Sequence, residues 1–436
     1  MMEKSLDRKL AAIHANPNSR EFILADAKDA DMAFGIGAPG LSPESHSGEL
    51  KYKTLEEYRE QIRAIARQGL VDIMLMSAST NYALTIRERI FEGSHVTPAI
   101  RANDTTDVHI ARGSSYVEHP SHPFRSASLD HAQCGHLDCA PEDRQIGANL
   151  GLYSVTFNND FDHDLATLNA FRDFREEAER KGFRYFLEVF DPNVPGAVAA
   201  DVLGSYTNDM IARMLAGVAP AGRPVFLKMV YHGPKAMEEL FRYDPQLVIG
   251  ILGGSAGTTL DAFQLLADAK KYGAKVALYG RKINSSENQL AFVQFLRLIA
   301  DGAIGPVDAV KAYHAVLARL GIRPHRRLEA DLKLQAMNMS YGGNSISVTV
   351  PAKPATDPHA CACHAHEPAK PVASASHACK CHDEPHDAKV PVVTISTRPT
   401  PSMNGYPKLG NGLPDFAKMD GGQRLAYHRE RLGLGR

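Results

Sequence analysis

A chain of 436 residues with 44% hydrophobic residues is long enough for one large domain with appendages, or for two domains. Its formal charge of -1, from 49 basic and 50 acidic residues, lacks the positive field expected for binding nucleic acid or an anionic membrane surface. Small-molecule chemistry is therefore the favoured class of function.

The lack of a recognisable secretion signal or membrane helix, together with the cysteine usage, predicts a cytoplasmic protein. The first twenty residues lack the apolar centre of a secretion signal, and no apolar run approaches the ~20 residues of a membrane helix. The six cysteines are unevenly spaced and do not suggest a disulfide framework in so long a chain. We therefore expect a reducing compartment.

From about Glu21 to Arg326, short apolar runs alternate with amphipathic helical patterns, as in β/α units around a parallel sheet. Eight strands are predicted: EFILAD ending at Asp26, VDIMLMS at Ser77, VTPAIRA at Ala102, GLYSVTF at Phe157, RYFLEVF at Phe190, PVFLKMV at Val230, LVIGILGG at Gly254 and KVALYG at Gly280. Eight strands with eight crossovers in this length favour an α/β fold of the (β/α)8 TIM barrel type over an open, doubly wound sheet.

The connection between the third and fourth predicted strands, Asn103 to Asn149, is unusually long and polar. It contains DHAQCGHLDC, in which four side chains have spacings that could surround a tetrahedral zinc: His131, Cys134, His136 and Cys139. Because the run has no paired CxxC, an ordinary polar loop is the favoured alternative.

The stretch RPVFLKMVYHG, Arg223 to Gly233, is a predicted buried strand with a lysine at its centre. Side chains alternate along a strand, so Lys228 shares a face with Phe226 and Val230. A lysine beneath the apolar helix layer is costly to leave unpaired. We therefore expect Lys228 to point into the barrel, near its C-terminal mouth.

A buried strand is a suitable place for a Schiff-base lysine. An amine must be neutral to attack a carbonyl, and at the usual lysine pKa of about 10.4 only about one in 2,500 is neutral at pH 7. Desolvation favours the neutral form. The alternative is a structural ion pair with an interior carboxylate, and the strand alone gives the two interpretations equal weight.

Two acidic residues favour the catalytic interpretation. The first predicted strand ends in Asp26 and the fifth carries Glu188, and on a barrel both can converge on the same mouth. Carboxylates there could move protons during imine chemistry. Each could equally be the structural counter-ion of Lys228.

The last two predicted strands end in glycine-rich turns, LGGSAGTT and YGRKIN. Backbone N–H groups and one guanidinium at such turns can cradle a phosphate, which gives the candidate phosphate-binding residues Gly253, Gly254, Ser255, Gly280 and Arg281. Simple tight turns are the alternative.

Composition predicts three parts: a barrel over 1–347, a low-complexity Pro/Ala/His/Cys linker over 348–412, and a possible docking helix for a protein partner over 413–436. The linker repeats HACACH, which begins at His359, as HACKCH, which begins at His377. These copies could bind zinc or another metal, or could be a spacer.

A lysine on the sixth strand, GGS after the seventh and GR after the eighth resemble the class I (Schiff-base) aldolases of the DeoC/FbaB/LacD group, especially archaeal-type fructose-bisphosphate and tagatose-bisphosphate aldolases. The resemblance implies that Lys228 forms an imine, that Glu188 and Asp26 are catalytic, and that the glycine-rich turns bind phosphate. It also implies a lyase that acts on a phosphorylated ketose, requires no cofactor and often forms a homo-oligomer.

The sequence departs from this group in two places. Asp191 precedes Pro192 where archaeal-type enzymes have a tyrosine acid, and DAKDADMAFG replaces their Asp-His-Gly run. Lys28, Asp29 and Asp31 in that run could replace missing functions, although solvated loop charges are commoner.

Two other functions remain open from the sequence. One is a metal-dependent lyase or hydrolase that uses the His/Cys loop, with Lys228 as an electrostatic group. The other is a non-catalytic barrel that serves as a scaffold for a metal-binding tail.

Overall fold

The structure, a computed structural model, describes residues 2–40, 52–109, 111–254 and 257–335, and the separate positions 407, 418, 419, 423 and 427. Most of the predicted linker and docking helix lies outside these residues, as do both HACxCH copies and Ser255. The three-part division of the chain therefore stays a prediction.

The described residues form the predicted (β/α)8 barrel. Eight parallel strands close in the order β1-β10-β9-β8-β7-β6-β3-β2. Their bounds are β1 Ile23–Lys28, β2 Ile73–Met76, β3 Thr97–Arg101, β6 Leu150–Thr156, β7 Arg184–Phe190, β8 Leu227–Met229, β9 Gly250–Leu252 and β10 Val276–Tyr279. Each coincides with a predicted strand to within a few residues, so the fold prediction is confirmed.

Helices follow the strands and form the outer layer. In the described part their bounds are α1 Ser5–Ala15, α2 Ala30–Phe34, α3 Leu55–Gln68, α4 Ala78–Asn81, α5 Leu129–Gln133, α6 Phe161–Arg180, α7 Leu203–Ala216, α8 Pro234–Tyr243, α9 Thr259–Lys271, α10 Arg281–Asn284, α11 Gln289–Asp301, α12 Pro306–Arg319 and α13 Leu328–Asp331. Among the described residues, none of these helices is both long and apolar enough to cross a membrane.

The two faces of the barrel wall can be assigned from their contacts. The inner face carries a buried apolar cluster that includes Ala25, Leu75, Phe186 and Phe226. The outer face carries side chains that meet helices, such as Tyr185, whose ring packs edge-on against Phe174 of α6. Because side chains alternate along each strand, these contacts fix the direction of every other strand residue.

Helix α1 closes the N-terminal end of the barrel. Leu6, Leu10 and Ile13 belong to the inner apolar cluster. Lys4 Nζ donates to the carbonyl of Val96, just before β3, at 3.0 Å. Lys9 binds Asp72, just before β2, at 2.8 Å. Helix α1 therefore covers the N-terminal end of the barrel interior, and the opposite end is the one at which the strands finish.

The long connection after β3 packs onto that C-terminal end. It forms a short antiparallel hairpin, β4 Asp104–Thr105 and β5 Pro123–Phe124. Val108, from the same connection, packs with Phe190, Val230 and Leu252 in a second buried apolar cluster. We call these four residues the mouth cluster, because Phe190, Val230 and Leu252 stand at the C-terminal ends of β7, β8 and β9.

Candidate active site

Lys228 and Glu188 form a buried ion pair inside the barrel. Lys228 on β8 and Glu188 on β7 are opposite each other in register, and each lies two residues beyond an inner phenylalanine. Lys228 Nζ is 2.5 Å from Glu188 Oε1, and the residues are 3% and 0% exposed. The pair lies one layer below the mouth cluster. The ion pair fits both a Schiff-base lysine and a structural ion pair, because a carboxylate that accepts the lysine proton and one that only balances its charge would occupy the same place.

A buried arginine, which the sequence analysis did not identify, lies beside this pair. Arg101 at the end of β3 is 0% exposed and donates through Nε to Asp104 at 2.8 Å and through Nη1 to Asp29 at 2.9 Å. The same Nη1 is 3.8 Å from Glu188 Oε2. The strand alternation that was applied to Lys228 could have identified Arg101 in VTPAIRA, because it follows the inner residue Ala99 by two.

Asp29, which directly follows β1, lies on the same side of the barrel wall as Lys228, whereas Asp26 does not. Asp26 is in register with Tyr279, whose hydroxyl donates to the Ala262 carbonyl of α9 at 2.7 Å. Residues in register on parallel strands point to the same side, so Asp26 faces the helix layer. The expectation that Asp26 converges with Lys228 is therefore wrong, because β1 turns that side chain away from the interior.

Asp26 instead belongs to a buried polar cluster behind β1. Its Oδ2 is 3.0 Å from Lys28 Nζ, and both side chains are completely buried. Lys28 Nζ also donates to Asn284 Oδ1 at 2.5 Å, and Asn284 Nδ2 donates to the Tyr58 hydroxyl at 3.3 Å. Burial lowers the pKa of Lys28, and the neighbouring Asp26 carboxylate partly offsets this decrease.

The run that follows the first predicted strand is not a solvated loop. Lys28 and Asp29 are 0% and 3% exposed. Asp31 accepts a hydrogen bond from the Ser77 hydroxyl at 2.6 Å, and burial raises the pKa of Asp31 to about 6. The commoner interpretation of these charges as surface residues is therefore wrong.

Substituting Asp26→Asn is expected to change how stability depends on pH. Burial raises the pKa of Asp26 to about 6, against the opposing effect of Lys28. Because the folded carboxyl binds its proton more readily than the unfolded one, the native protein gains stability as pH falls through about 6. Relative to Asp26→Asn, the wild type should gain about 2 kcal/mol between pH 7.5 and pH 4.5 in denaturant unfolding. Parallel curves for the two proteins contradict this assignment.

The four described candidates for phosphate binding, Gly253, Gly254, Gly280 and Arg281, follow two neighbouring strands, β9 and β10. Gly253 N–H donates to the Leu278 carbonyl at 2.7 Å, which joins the end of β9 to β10. Packing alone also explains why glycine occupies two of these positions. A Cβ on Gly253 would overlap the Tyr279 ring, and one on Gly280 would lie 2.6 Å from the Ala27 carbonyl oxygen. Gly254 has a φ of +59°, and the Arg281 guanidinium lies 5.4 Å from the centre of the Phe34 ring. Phosphate binding stays a proposal.

The four candidate zinc ligands do not converge. Among the described residues no group of three or more His, Cys, Asp or Glu side chains is arranged to hold a metal ion. Cys134 Sγ instead donates to the His136 carbonyl at 3.4 Å, and His136 Nδ1 pairs with the Leu137 carbonyl at 2.8 Å. Cys139 is buried beside Cys134, and burial raises the pKa of its thiol to about 12. A protonated thiol is a poor metal ligand.

A histidine–aspartate pair lies above the two strands that carry Glu188 and Lys228. His232 Nε2 is 2.8 Å from Asp191 Oδ1, and the His232 side chain is nearly buried. Asp191 precedes Pro192, the place where the resemblance predicts a tyrosine acid. Asp191 can be singled out from the sequence but His232 cannot, because the two come together through the pairing of β7 with β8.

Comparisons with known proteins do not assign the chain to a family. No protein-family model matches the sequence, and no curated protein is significantly similar to it. Solved structures of an archaeal fructose 1,6-bisphosphate aldolase are 14% identical, with a TM-score of 0.47, over 67% of this chain and 99% of theirs. An archaeal aldolase with its catalytic lysine bound to a carbinolamine intermediate is 16% identical, with a TM-score of 0.47, over 67% and 100%.

Barrels of other activities are also found, such as orotidine 5'-phosphate decarboxylase from Pyrococcus horikoshii, 13% identical, with a TM-score of 0.32, over 57% of this chain and 96% of that one. At these identities and scores the likeness does not separate one barrel activity from another. The comparisons therefore leave the (β/α)8 barrel, seen directly in the strand pairing, as the established level of classification.

Proposed function

We propose that the protein is a class I aldolase that cleaves or forms a carbon–carbon bond in a phosphorylated ketose through an imine on Lys228. The observation that carries this proposal is the lysine–carboxylate pair enclosed in the barrel, with Lys228 Nζ 2.5 Å from Glu188 Oε1. The order of Lys228, GGS and GR along the chain, which resembles Schiff-base aldolases, supports it independently.

The short Lys228–Glu188 contact gives the first proton transfer a direct route. A neutral Lys228 amine is needed for attack on the ketone carbonyl, and Glu188 Oε1 is placed to take the proton of the ammonium group. Attack gives a carbinolamine, and the protonated Glu188 can return its proton as the hydroxyl leaves as water, which yields the iminium ion. Asp26 has no part in these steps, because it lies behind β1.

Cleavage then needs a base for the hydroxyl on the carbon that becomes the aldehyde. Removal of that proton sends the carbon–carbon bonding electrons into the iminium ion, which leaves an enamine on Lys228 and releases the aldehyde. Protonation of the enamine and hydrolysis of the resulting imine restore the amine. Glu188 has already given its proton to the departing water when the iminium ion forms, so it is a carboxylate again and is the base that we assign to this step.

Access and orientation come from the C-terminal end. Because Lys228 is buried under the mouth cluster, the ketone reaches it only when Val108 and its neighbours separate. The phosphate is assigned to the turns after β9 and β10, where Gly254, Ser255 and Arg281 supply backbone N–H groups and one guanidinium.

Borohydride reduction tests this function, since it converts an imine into a stable secondary amine. The protein is incubated with dihydroxyacetone phosphate and with a panel of ketose phosphates, reduced, and examined by intact mass. The expected result is one added ketone unit per chain with at least one of these compounds, and none without ketone. If no compound in the panel gives an adduct, the proposed function is wrong.

A further inference from the structure

Ser154, on the inner face of β6, is held in place by its neighbours before it contacts Glu188. Its backbone N–H donates to Asn103 Oδ1 at 2.6 Å, and its carbonyl accepts from Asn103 Nδ2 at 2.9 Å. Ser154 is in register with Glu188, which is in register with Lys228. The three side chains therefore occupy one layer on three consecutive strands.

The direction of the hydrogen bonds through the Ser154 hydroxyl is fixed. Arg101 Nη2 donates to Ser154 Oγ at 3.3 Å, and Ser154 Oγ donates to Glu188 Oε2 at 2.7 Å. A guanidinium can only donate, so the single hydroxyl proton remains for Glu188. Glu188 Oε2 is thus a hydrogen-bond acceptor, and Oε1 is left facing Lys228.

Arg101 is itself rigidly held. Asp104 and Asp29 bind Nε and Nη1 at 2.8 and 2.9 Å, and all three side chains are buried. A guanidinium fixed at two corners has little freedom at the third, which points Nη2 at Ser154. The whole chain of contacts runs Asp29/Asp104 to Arg101, to Ser154, to Glu188, to Lys228.

We propose that Arg101 and Ser154 are positioning residues that hold Glu188 as a carboxylate against Lys228 and so keep the resting lysine charged. The contact chain stands on geometry alone, and its meaning for catalysis rests on the proposed function. On this account the lysine proton passes to Glu188 only when a bound ketone rearranges the site. The resting enzyme is thereby protected from reacting with unrelated electrophiles.

Removing the Ser154 hydroxyl should expose the Lys228 amine to acylation. Without that donor the Glu188 carboxylate is less stabilised, so the shared proton moves toward Glu188, and the side chain is also free to turn away. Both effects increase the neutral fraction of Lys228. The change expected for one hydrogen bond to a charged group is roughly tenfold.

The experiment measures acetylation of Lys228 in the folded, full-length protein by trace acetic anhydride at constant pH, read by peptide mass spectrometry. Ser154→Ala should raise the labelling roughly tenfold, and Ser154→Thr, which keeps the hydroxyl, should restore the wild-type value. Thr156→Val is the matched control. It removes a hydroxyl from the same face of β6, but one that binds Asp107, at 3.2 Å, and not Glu188. Glu188→Gln sets the upper limit.

Three outcomes overturn the proposal. The first is equal labelling of Lys228 in wild type and Ser154→Ala, and the second is an equal rise in Thr156→Val. The third is no rise in any variant, Glu188→Gln included, because Glu188 then does not control the lysine. The acetylation measurement needs no substrate, so its result is separate from that of borohydride trapping. If borohydride gives an adduct but acetylation is unchanged in Ser154→Ala, the aldolase function is supported and the positioning role of Arg101 and Ser154 is wrong.

Discussion

Replacing Lys228 by methionine is expected to abolish ketose phosphate cleavage, with a loss on the order of 10³-fold or more, because no other group can form the imine. Methionine has a similar length and no charge, and it suits a position beside the mouth cluster. The remaining Glu188 carboxyl keeps its hydrogen bond from the Ser154 hydroxyl at 2.7 Å. The measurement is the cleavage rate with the substrate that borohydride trapping identifies, alongside circular dichroism to show that the barrel is folded.

The matched control for this variant is Lys9→Met at the other end of the barrel. Lys9 is also a buried lysine in an ion pair, with Asp72 at 2.8 Å. Asp72 keeps a hydrogen bond from the Leu24 N–H at 2.9 Å and a contact with Arg297 at 3.3 Å when Lys9 is lost. Its cleavage rate should equal that of the wild type. Retained activity in Lys228→Met, or equal losses in both variants, is incompatible with an imine on Lys228.

Replacing Arg101 by methionine should cost the most stability of any single change in the site, about 3–5 kcal/mol in the free energy of unfolding. Inside the barrel, Arg101 and Lys228 carry two positive charges against the three negative charges of Glu188, Asp29 and Asp104. Without Arg101, one ammonium group faces three buried carboxylates. Denaturant unfolding at neutral pH measures the loss.

An exposed arginine provides the comparison for Arg101. Arg89 binds Glu92 at 3.1 Å, with both side chains more than half exposed. Removing an exposed ion pair of this kind changes stability by no more than about 1 kcal/mol. If Arg101→Met and Arg89→Met destabilise the protein equally, the interior charges do not depend on the guanidinium.

The sequence was sufficient for the barrel because its signals are local. Each of the eight strands is an apolar run bounded by polar turns, and Gly69, with φ of +68°, ends α3 in the left-handed conformation that favours glycine. The inward direction of Lys228 followed from the cost of placing a charge under the helices. These inferences need only burial and alternation.

The polar interior could be inferred only in part, because side-chain direction in β1 is not encoded by its pattern. All six residues Ile23–Lys28 are buried, so no polar alternation marks which face is inside. A strand that ends at Asp26 predicts an interior acid there, whereas β1 continues to Lys28 and leaves Asp29 on the inner side. Arg101 is accessible to the same reasoning, because it follows the inner residue Ala99 by two positions in VTPAIRA.

Locating the reduced adduct by tandem mass spectrometry tests the central claim most directly. After borohydride reduction with a ketone that labels the protein, the account predicts the added mass on the peptide that contains Lys228, and unmodified Lys9 and Lys28 in the same sample. An adduct on Lys28 or another lysine, with Lys228 unmodified, contradicts it.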